Sequence, residues 1–319
     1  GVLINTWNRK TTLHYNGEFK LNKWVTINET FSWVNTKSRS KDTNSGYTGA
    51  IISAIMMPSS APVYDANGNY HGVTTEDPEY IAKYGSNYAD IHGDAVNPVR
   101  LLTAENRYNR TSDVWSTTSL QIGNILPGLK FVSRFTYNLT NNYYKNFNPR
   151  RPEIGKPQDF NELNESSYRY SRWMTENTLT YDNTFGKHTV GALLSTTADR
   201  TYSRGLSIYG KNLSDESDYL QYISFAESTS QDDYLTGPDA NVALIGRLSY
   251  SFDDRYFATA SFRRDYASRL PKSNNYGDFP AVTAAWKVSN ESFFPKTDAV
   301  NLLKIRASYG SIGNQDIGD

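Results

Sequence analysis

Apolar and polar residues alternate with a period of two along most of the chain. In the segment 129–144, for example, Phe131 and Phe135 alternate with Arg134 and Thr136. β-branched and aromatic residues dominate the apolar positions, and this combination is typical of β-strands. The alternation predicts ten strands, at residues 9–21, 23–36, 112–122, 129–144, 168–183, 187–204, 240–252, 255–266, 279–289 and 301–310.

The connections between these strands alternate in length. Short turns are expected at 21–23, 124–128, 182–187 and 253–254, with a slightly longer one at 290–300. Long polar connections are expected at 37–111, 145–167, 205–239 and 267–278. A transmembrane β-barrel has this arrangement, with short periplasmic turns and long extracellular loops. The pattern therefore predicts an all-β fold that is part of a large antiparallel transmembrane β-barrel, and a soluble sandwich or propeller is the alternative.

Composition and charge narrow the classes of function. The 319 residues carry 33 Lys and Arg against 33 Asp and Glu, with no Cys and 14% aromatic residues. A neutral balance offers no electrostatic footprint for nucleic acid, and a chain without Cys has no thiolate nucleophile or thiolate metal site. No run of about 18 apolar residues is present, so the sequence predicts no transmembrane helix.

The sequence contains no recognisable catalytic constellation, so we predict neither an enzyme nor a bound cofactor. None of the histidines has the spacing of a metal motif; they are His14, His71, His92 and His188. A calcium loop is mimicked by four residues, namely Asp65, Asn67, Asn69 and Glu76. Because Tyr70 stands where that loop needs Gly, we favour a simple Asn-Gly turn there, and calcium binding stays an open alternative.

Three segments resemble a known family in its order and spacing. Residues 247–264 (RLSYSFDDRYFATASFRR), 276–289 (YGDFPAVTAAWKVS) and 302–318 (LLKIRASYGSIGNQDIG) resemble the barrel of SusC/RagA-type TonB-dependent outer-membrane transporters of the Bacteroidetes. The opening stretch 5–38 is similar to an earlier part of the same barrel. One departure lies at 266–269, which reads Tyr-Ala-Ser-Arg where the family commonly has Gly-Ser-Ser-Arg.

The resemblance implies a barrel of 22 strands with a plugged lumen, of which this chain supplies about ten strands. Residues 1–319 are then expected to be one partial TonB-dependent receptor barrel domain, with the plug, the TonB box and the C-terminal strands absent. A sheet of this size alone would have two long unpaired edges. We therefore expect the chain to be a fragment of a larger protein of the cell outer membrane.

The resemblance also implies a function, namely active import of a nutrient, either an oligosaccharide or a peptide. The implied partners are a SusD-like surface lipoprotein, a TonB complex, the surrounding outer-membrane lipid and the substrate. A siderophore or cobalamin receptor without a lipoprotein lid is one alternative, and a soluble all-β carbohydrate-binding module is another.

Five cationic residues on the polar side of the predicted strands are expected to face the lumen. They are Arg134, Arg247, Arg263, Lys287 and Arg306. We expect them to be solvated there and to pair with carboxylates of a plug rather than to contact substrate. The many tyrosines could stack on sugar rings or form the aromatic girdles of a membrane protein.

Overall fold

The computed structural model describes residues 3–41, 49–57, 59, 61–71, 82, 95–151, 158–295 and 300–313. Ten strands form one antiparallel sheet in which each strand pairs with its neighbours in sequence. The strands are β1 (Trp7–Lys20), β2 (Val25–Arg39), β3 (Asn106–Gly123), β4 (Leu129–Asn148), β5 (Glu162–Phe185), β6 (His188–Leu213), β7 (Ala226–Phe252), β8 (Tyr256–Ala267), β9 (Tyr276–Lys287) and β10 (Lys304–Gly310). The predicted all-β antiparallel architecture with ten strands is confirmed.

The strands extend further at one end of the sheet than the sequence predicted. β6 has 26 residues and β7 has 27, so much of the predicted loops 145–167 and 205–239 continues the ladder. In these extensions both faces carry polar residues, for example Ser228 and Thr229 in β7. Hydroxyl-bearing residues still form backbone ladders, but they leave no apolar stripe for a pattern to detect. The predicted strand ends there were therefore wrong.

The tight turns that join neighbouring strands of the described sheet lie at the opposite end, which we call the short-turn end. The other end is called the long-loop end. Gly128 has φ +82°, and a Cβ there would lie 2.2 Å from the main-chain oxygen of Asp182, so only Gly fits. Asp253 and Asp254 also have positive φ values, of 53° and 52°, a conformation that Asp tolerates better than most residues. An ion pair of 3.1 Å between Lys187 and Asp253 joins two neighbouring turns.

Two clusters of buried apolar residues lie at the long-loop end. Helices α1 (Ala50–Met56) and α2 (Pro98–Thr103) belong to the β2–β3 connection and enclose a small cluster of Ala50, Val96 and Leu101. A second cluster joins the ends of three strands; it comprises Phe147, Leu163 and Leu213. No helix among the described residues is long and apolar enough to cross a membrane.

Candidate functional site

The strand register divides the sheet into an apolar face and a polar face. Residues directly opposite each other in antiparallel strands point to the same face. One such row contains Ala192, Leu248, Ala260, Val282 and Tyr309. Leu248 and Val282 are 64% and 54% exposed, although they are apolar. A continuous exposed apolar surface of this kind is expected to contact lipid or protein rather than water.

Aromatic clusters bound the apolar face at both ends. At the short-turn end the ring of Phe252 lies 4.9 Å from that of His188 and 6.5 Å from that of Tyr256. Toward the long-loop end the ring of Tyr108 lies 6.4 Å from each of Trp7 and Tyr143. An apolar band between two aromatic girdles is the outer surface of a membrane barrel, so these aromatic residues lie where girdles are expected.

Two groups of polar residues on the apolar face satisfy one another by hydrogen bonding. Glu29 lies between Ile27 and Phe31 on this face of β2, and its carboxylate accepts hydrogen bonds from the hydroxyls of Ser116, at 2.8 Å, and Thr118. Another pair lies on β4 and β5, where the Ser133 hydroxyl donates to Asn177 at 2.8 Å. An unpaired polar group costs several kcal/mol in hydrocarbon, and these bonds remove much of that penalty.

The register places all five predicted lumen residues on the polar face. Arg134 pairs with Ser119, Arg247 with Ser261, and Arg263 with Ile245. Lys287 pairs with Lys304, and Arg306 with Ala285. The five positions therefore share one face, opposite the girdled apolar band. That this face lines a lumen stays a prediction.

These five side chains are dispersed and do not converge on one site. Arg134 contacts Glu176 at 3.4 Å, Arg263 contacts Asp265 at 2.7 Å, and Lys287 contacts Asp254 at 2.7 Å. Arg247 and Arg306 form no ion pair with the described residues. Since they lie on strands from β4 to β10, they provide charge along a surface rather than a single ligand cage.

A charged pocket that the sequence did not reveal lies at the long-loop end. Its volume is about 310 Å³, and its charged lining residues are Arg100, Glu105, Arg107, Arg151 and Glu162. Arg100 is 3% exposed and its guanidinium lies 3.8 Å from the Glu105 carboxylate. The residues come from the returning end of the β2–β3 connection and from strand ends far apart in sequence, so no local motif identifies the pocket.

Burial changes the ionisation of two groups beside this pocket. It raises the pKa of the Glu105 carboxyl, against the opposing effect of Arg100. Burial, with repulsion from Arg39, lowers the pKa of the Lys41 ammonium to about 8. Arg107 also acts on both groups, lowering both pKa values. The long-loop end therefore holds a tightly packed cluster of charges on the polar side of the sheet.

The calcium-like segment forms a hairpin around an Asn-Gly turn. The Asp65 carboxylate accepts hydrogen bonds from the main-chain N–H groups of Asn67 and Asn69, both at 2.8 Å, and Gly68 has φ +83°. The predicted Asn-Gly turn is thus confirmed. The Asp65 carboxylate oxygen is occupied by hydrogen bonds from main-chain N–H groups of this turn. Glu76 and His92 lie outside the described residues. Within the described part of the chain, no group of three or more potential metal ligands is present.

The chain is similar to several known proteins, although no family model matches it. It is 30% identical to TonB-dependent receptor P39 of Formosa agariphila over 70% of this chain and 21% of P39. It is 37% identical to TonB-dependent receptor SusC of Bacteroides thetaiotaomicron over 32% of this chain and 10% of SusC. The solved structure of the RagAB peptide transporter matches 98% of this chain and 33% of its own, with a TM-score of 0.74 and 20% identity.

Fold and surfaces together define the class: the ten strands are part of the wall of a large transmembrane β-barrel. The sequence and structural matches specify it further. The chain is similar in sequence to TonB-dependent receptors that include SusC and similar in fold to the RagAB peptide transporter, and the resemblance seen in the sequence is confirmed. It spans 21% of P39 and 33% of the matched RagAB chain, and thus corresponds to a part of these proteins.

Proposed function

We propose that the whole protein is a TonB-dependent importer of the outer membrane that takes up a nutrient, either a peptide or an oligosaccharide. The observation that carries this proposal is the two-faced sheet, in which an apolar band between aromatic girdles backs onto a polar face with dispersed cations. Such a wall separates lipid from an aqueous lumen. The similarity to SusC and to the RagAB peptide transporter supports the same assignment.

In this function the chain contributes barrel wall and the base of the external loops. Residues 1–319 are a partial barrel domain, and a plug supplied by the rest of the protein fills the lumen. Arg247 and Arg306, which have no ion-pair partner among the described residues, face that plug and pair with its carboxylates. Cations on the lumen wall thereby hold the plug without forming a substrate site.

We further propose two partners for the whole protein. A SusD-like surface lipoprotein closes the extracellular mouth, which is the long-loop end, and a TonB complex in the inner membrane supplies the energy for import. The charged pocket around Arg100 and Glu105 lies at that mouth. Its mixed charges suit hydrogen bonding to the polar groups of peptides or of sugars.

Uptake by whole cells tests the function. The gene is deleted from the native bacterium, and uptake of fluorescently labelled peptides and of labelled oligosaccharides is compared with the parent strain. We expect uptake of one class to fall, to be restored by the intact gene, and to be abolished in the parent by a protonophore that removes the energy source. Equal uptake of both classes in the deletion strain, with loss of iron-siderophore uptake instead, would favour the siderophore-receptor alternative.

A further inference from the structure

The apolar face carries a basic pocket at the level of the aromatic girdle of the long-loop end. The pocket has a volume of about 310 Å³ and is lined by Ser167, Arg169, Tyr202, Arg204 and Leu206. By register all five side chains are on the apolar face, because Ser167 pairs with Leu206, Arg169 with Arg204, and Tyr202 with Ser171 of the same face. The pocket therefore opens away from the lumen, toward whatever surrounds the barrel.

The height of the pocket on the strand places it at the edge of the apolar band. Ser167 pairs directly with the girdle residue Tyr143, and Arg169 pairs with Asn141, which lies two residues closer to the middle of the band. The pocket is therefore level with the aromatic girdle, and such girdles mark the interfaces of a membrane. If the proposed membrane location is correct, on which this inference rests, that height is the headgroup layer of the outer leaflet.

The charges of the pocket are arranged for an anion. Arg169 and Arg204 are directly opposite each other on neighbouring strands, and like charges in this position destabilise a sheet. Asp233 forms a two-pronged pair with Arg204, at 3.2 and 2.7 Å. Arg169 has neither an ion pair nor a hydrogen bond with the described residues. One guanidinium fork is thus exposed and available, and its geometry matches two oxygens of a phosphate.

The remaining lining residues suit a sugar attached to that phosphate. Tyr202 and Leu206 flank Arg204 on the same face of β6 and present apolar surface, and aromatic faces pack well against sugar rings. The Ser167 hydroxyl supplies a further hydrogen-bonding group. A pocket that combines a free guanidinium, a hydroxyl and apolar side chains at the headgroup level fits an acylated, phosphorylated sugar better than it fits a free ion.

We propose that this pocket binds the phosphorylated sugar headgroup of an outer-leaflet glycolipid. Arg169 donates to the phosphate, Arg204 shares its charge between Asp233 and the same phosphate, and Tyr202 packs against the sugar. The acyl chains then lie along the apolar band below. The bound lipid offsets the repulsion between the two arginines and seals the barrel wall at its outer rim.

Native mass spectrometry of the full-length protein tests the proposal. The protein is extracted from the outer membrane in mild detergent and titrated with a diphosphorylated, acylated glucosamine disaccharide, and with the same lipid after removal of its phosphates. We expect binding of the phosphorylated lipid alone, with an affinity that falls roughly tenfold or more in the Arg169→Ser variant, since a charge-assisted hydrogen bond is lost. Millimolar inorganic phosphate should not displace the lipid.

The matched control is Arg110→Ser, which removes another exposed arginine of the same face at the same end, outside the pocket. It should retain the affinity of the unmodified protein. An equal loss of affinity in both variants would overturn the proposal, and so would equal binding of the dephosphorylated lipid. Unchanged lipid binding by Arg169→Ser, with a change in its oligomeric state, would overturn it as well. Recovery of the protein outside the outer-membrane fraction would instead count against the proposed function.

Discussion

Adjacent residues of one strand test which medium each face of the sheet contacts. Ala260 and Ser261 follow each other in β8 and point to opposite faces, Ala260 within the apolar row and Ser261 opposite Arg247. Ala260 lies four positions along β8 from Tyr256, which belongs to the girdle of the short-turn end. The Ala260 side chain is therefore well inside the apolar band.

We predict that Ala260→Arg lowers the free energy of unfolding of the full-length barrel by about 2–4 kcal/mol, the cost of a cation near the middle of a lipid-facing surface. Ser261→Arg is the matched control, and because its side chain faces the proposed aqueous lumen, we expect a change below about 1 kcal/mol. Urea-induced unfolding in lipid bilayers measures both. Equal tolerance of the two variants would show that the apolar face is not in lipid.

A second residue-scale prediction concerns pH. The pKa of Lys41 is lowered from 10.5 to about 8, mainly by burial. Between these two values the unfolded chain still binds the proton that the folded chain has released, so stability rises with pH across this window. The gain is at most about 3 kcal/mol, and it is absent below pH 8, where both states are protonated.

We expect the urea midpoint of the unmodified protein to rise between pH 8 and 10.5 relative to that of Lys41→Met, which has no proton to release. The difference between the two proteins removes the contribution of tyrosines that ionise in the same range. Parallel curves for the two proteins would contradict the assignment of the shift to Lys41.

At the scale of single elements, the strand extensions beyond the aromatic girdle of the long-loop end depend on a small core. Phe147 of β4, Leu163 of β5 and Leu213 of β6 are at most 1% exposed and pack against Ile223. Asn161, also fully buried, bonds both main-chain groups of Leu213. These contacts fix the 3₁₀ turn Ile223–Phe225 onto the strand ends.

We predict that Phe147→Ala costs about 3–5 kcal/mol, the usual penalty for truncating a buried aromatic residue. The loss should be local, with faster hydrogen exchange at 214–225 and unchanged exchange in β8 and β9. Phe135→Ala, on the apolar face of the same strand and 50% exposed, serves as the control and should leave 214–225 protected. Uniform acceleration throughout the sheet would argue against a separate core at this end.

Sequence patterns identified the strand segments that have one apolar face. They missed the segments in which both faces are polar. Alternation around Val282 and Trp286 gave β9 within a few residues, and the turn at Asp253-Asp254 was found from its composition. The start of β7 at Ala226 was not found, because its first residues are polar on both faces. The sequence also did not reveal either pocket. Arg169 and Arg204 line one pocket, and Arg100 and Glu162 line the other. In each case the residues are distant in sequence and come together only in the folded structure.

At the scale of the whole molecule, the difference between the two faces of the sheet is explained by a wall that has lipid on one side and water on the other. Many large apolar residues are exposed on one face, and the two clusters of buried apolar residues lie at the long-loop end. A soluble domain would cover that face with another layer of secondary structure. The wall assignment also accounts for the dispersal of the cations on the other face.

The most direct test of the central claim is affinity purification of the tagged full-length protein from its native outer membrane, followed by mass spectrometry of the proteins that accompany it. We predict recovery from the outer-membrane fraction together with a stoichiometric SusD-like lipoprotein. Recovery from the outer membrane without such a partner would contradict the nutrient-importer assignment and favour a receptor without a lid. Recovery from a soluble fraction would contradict the barrel-wall account itself.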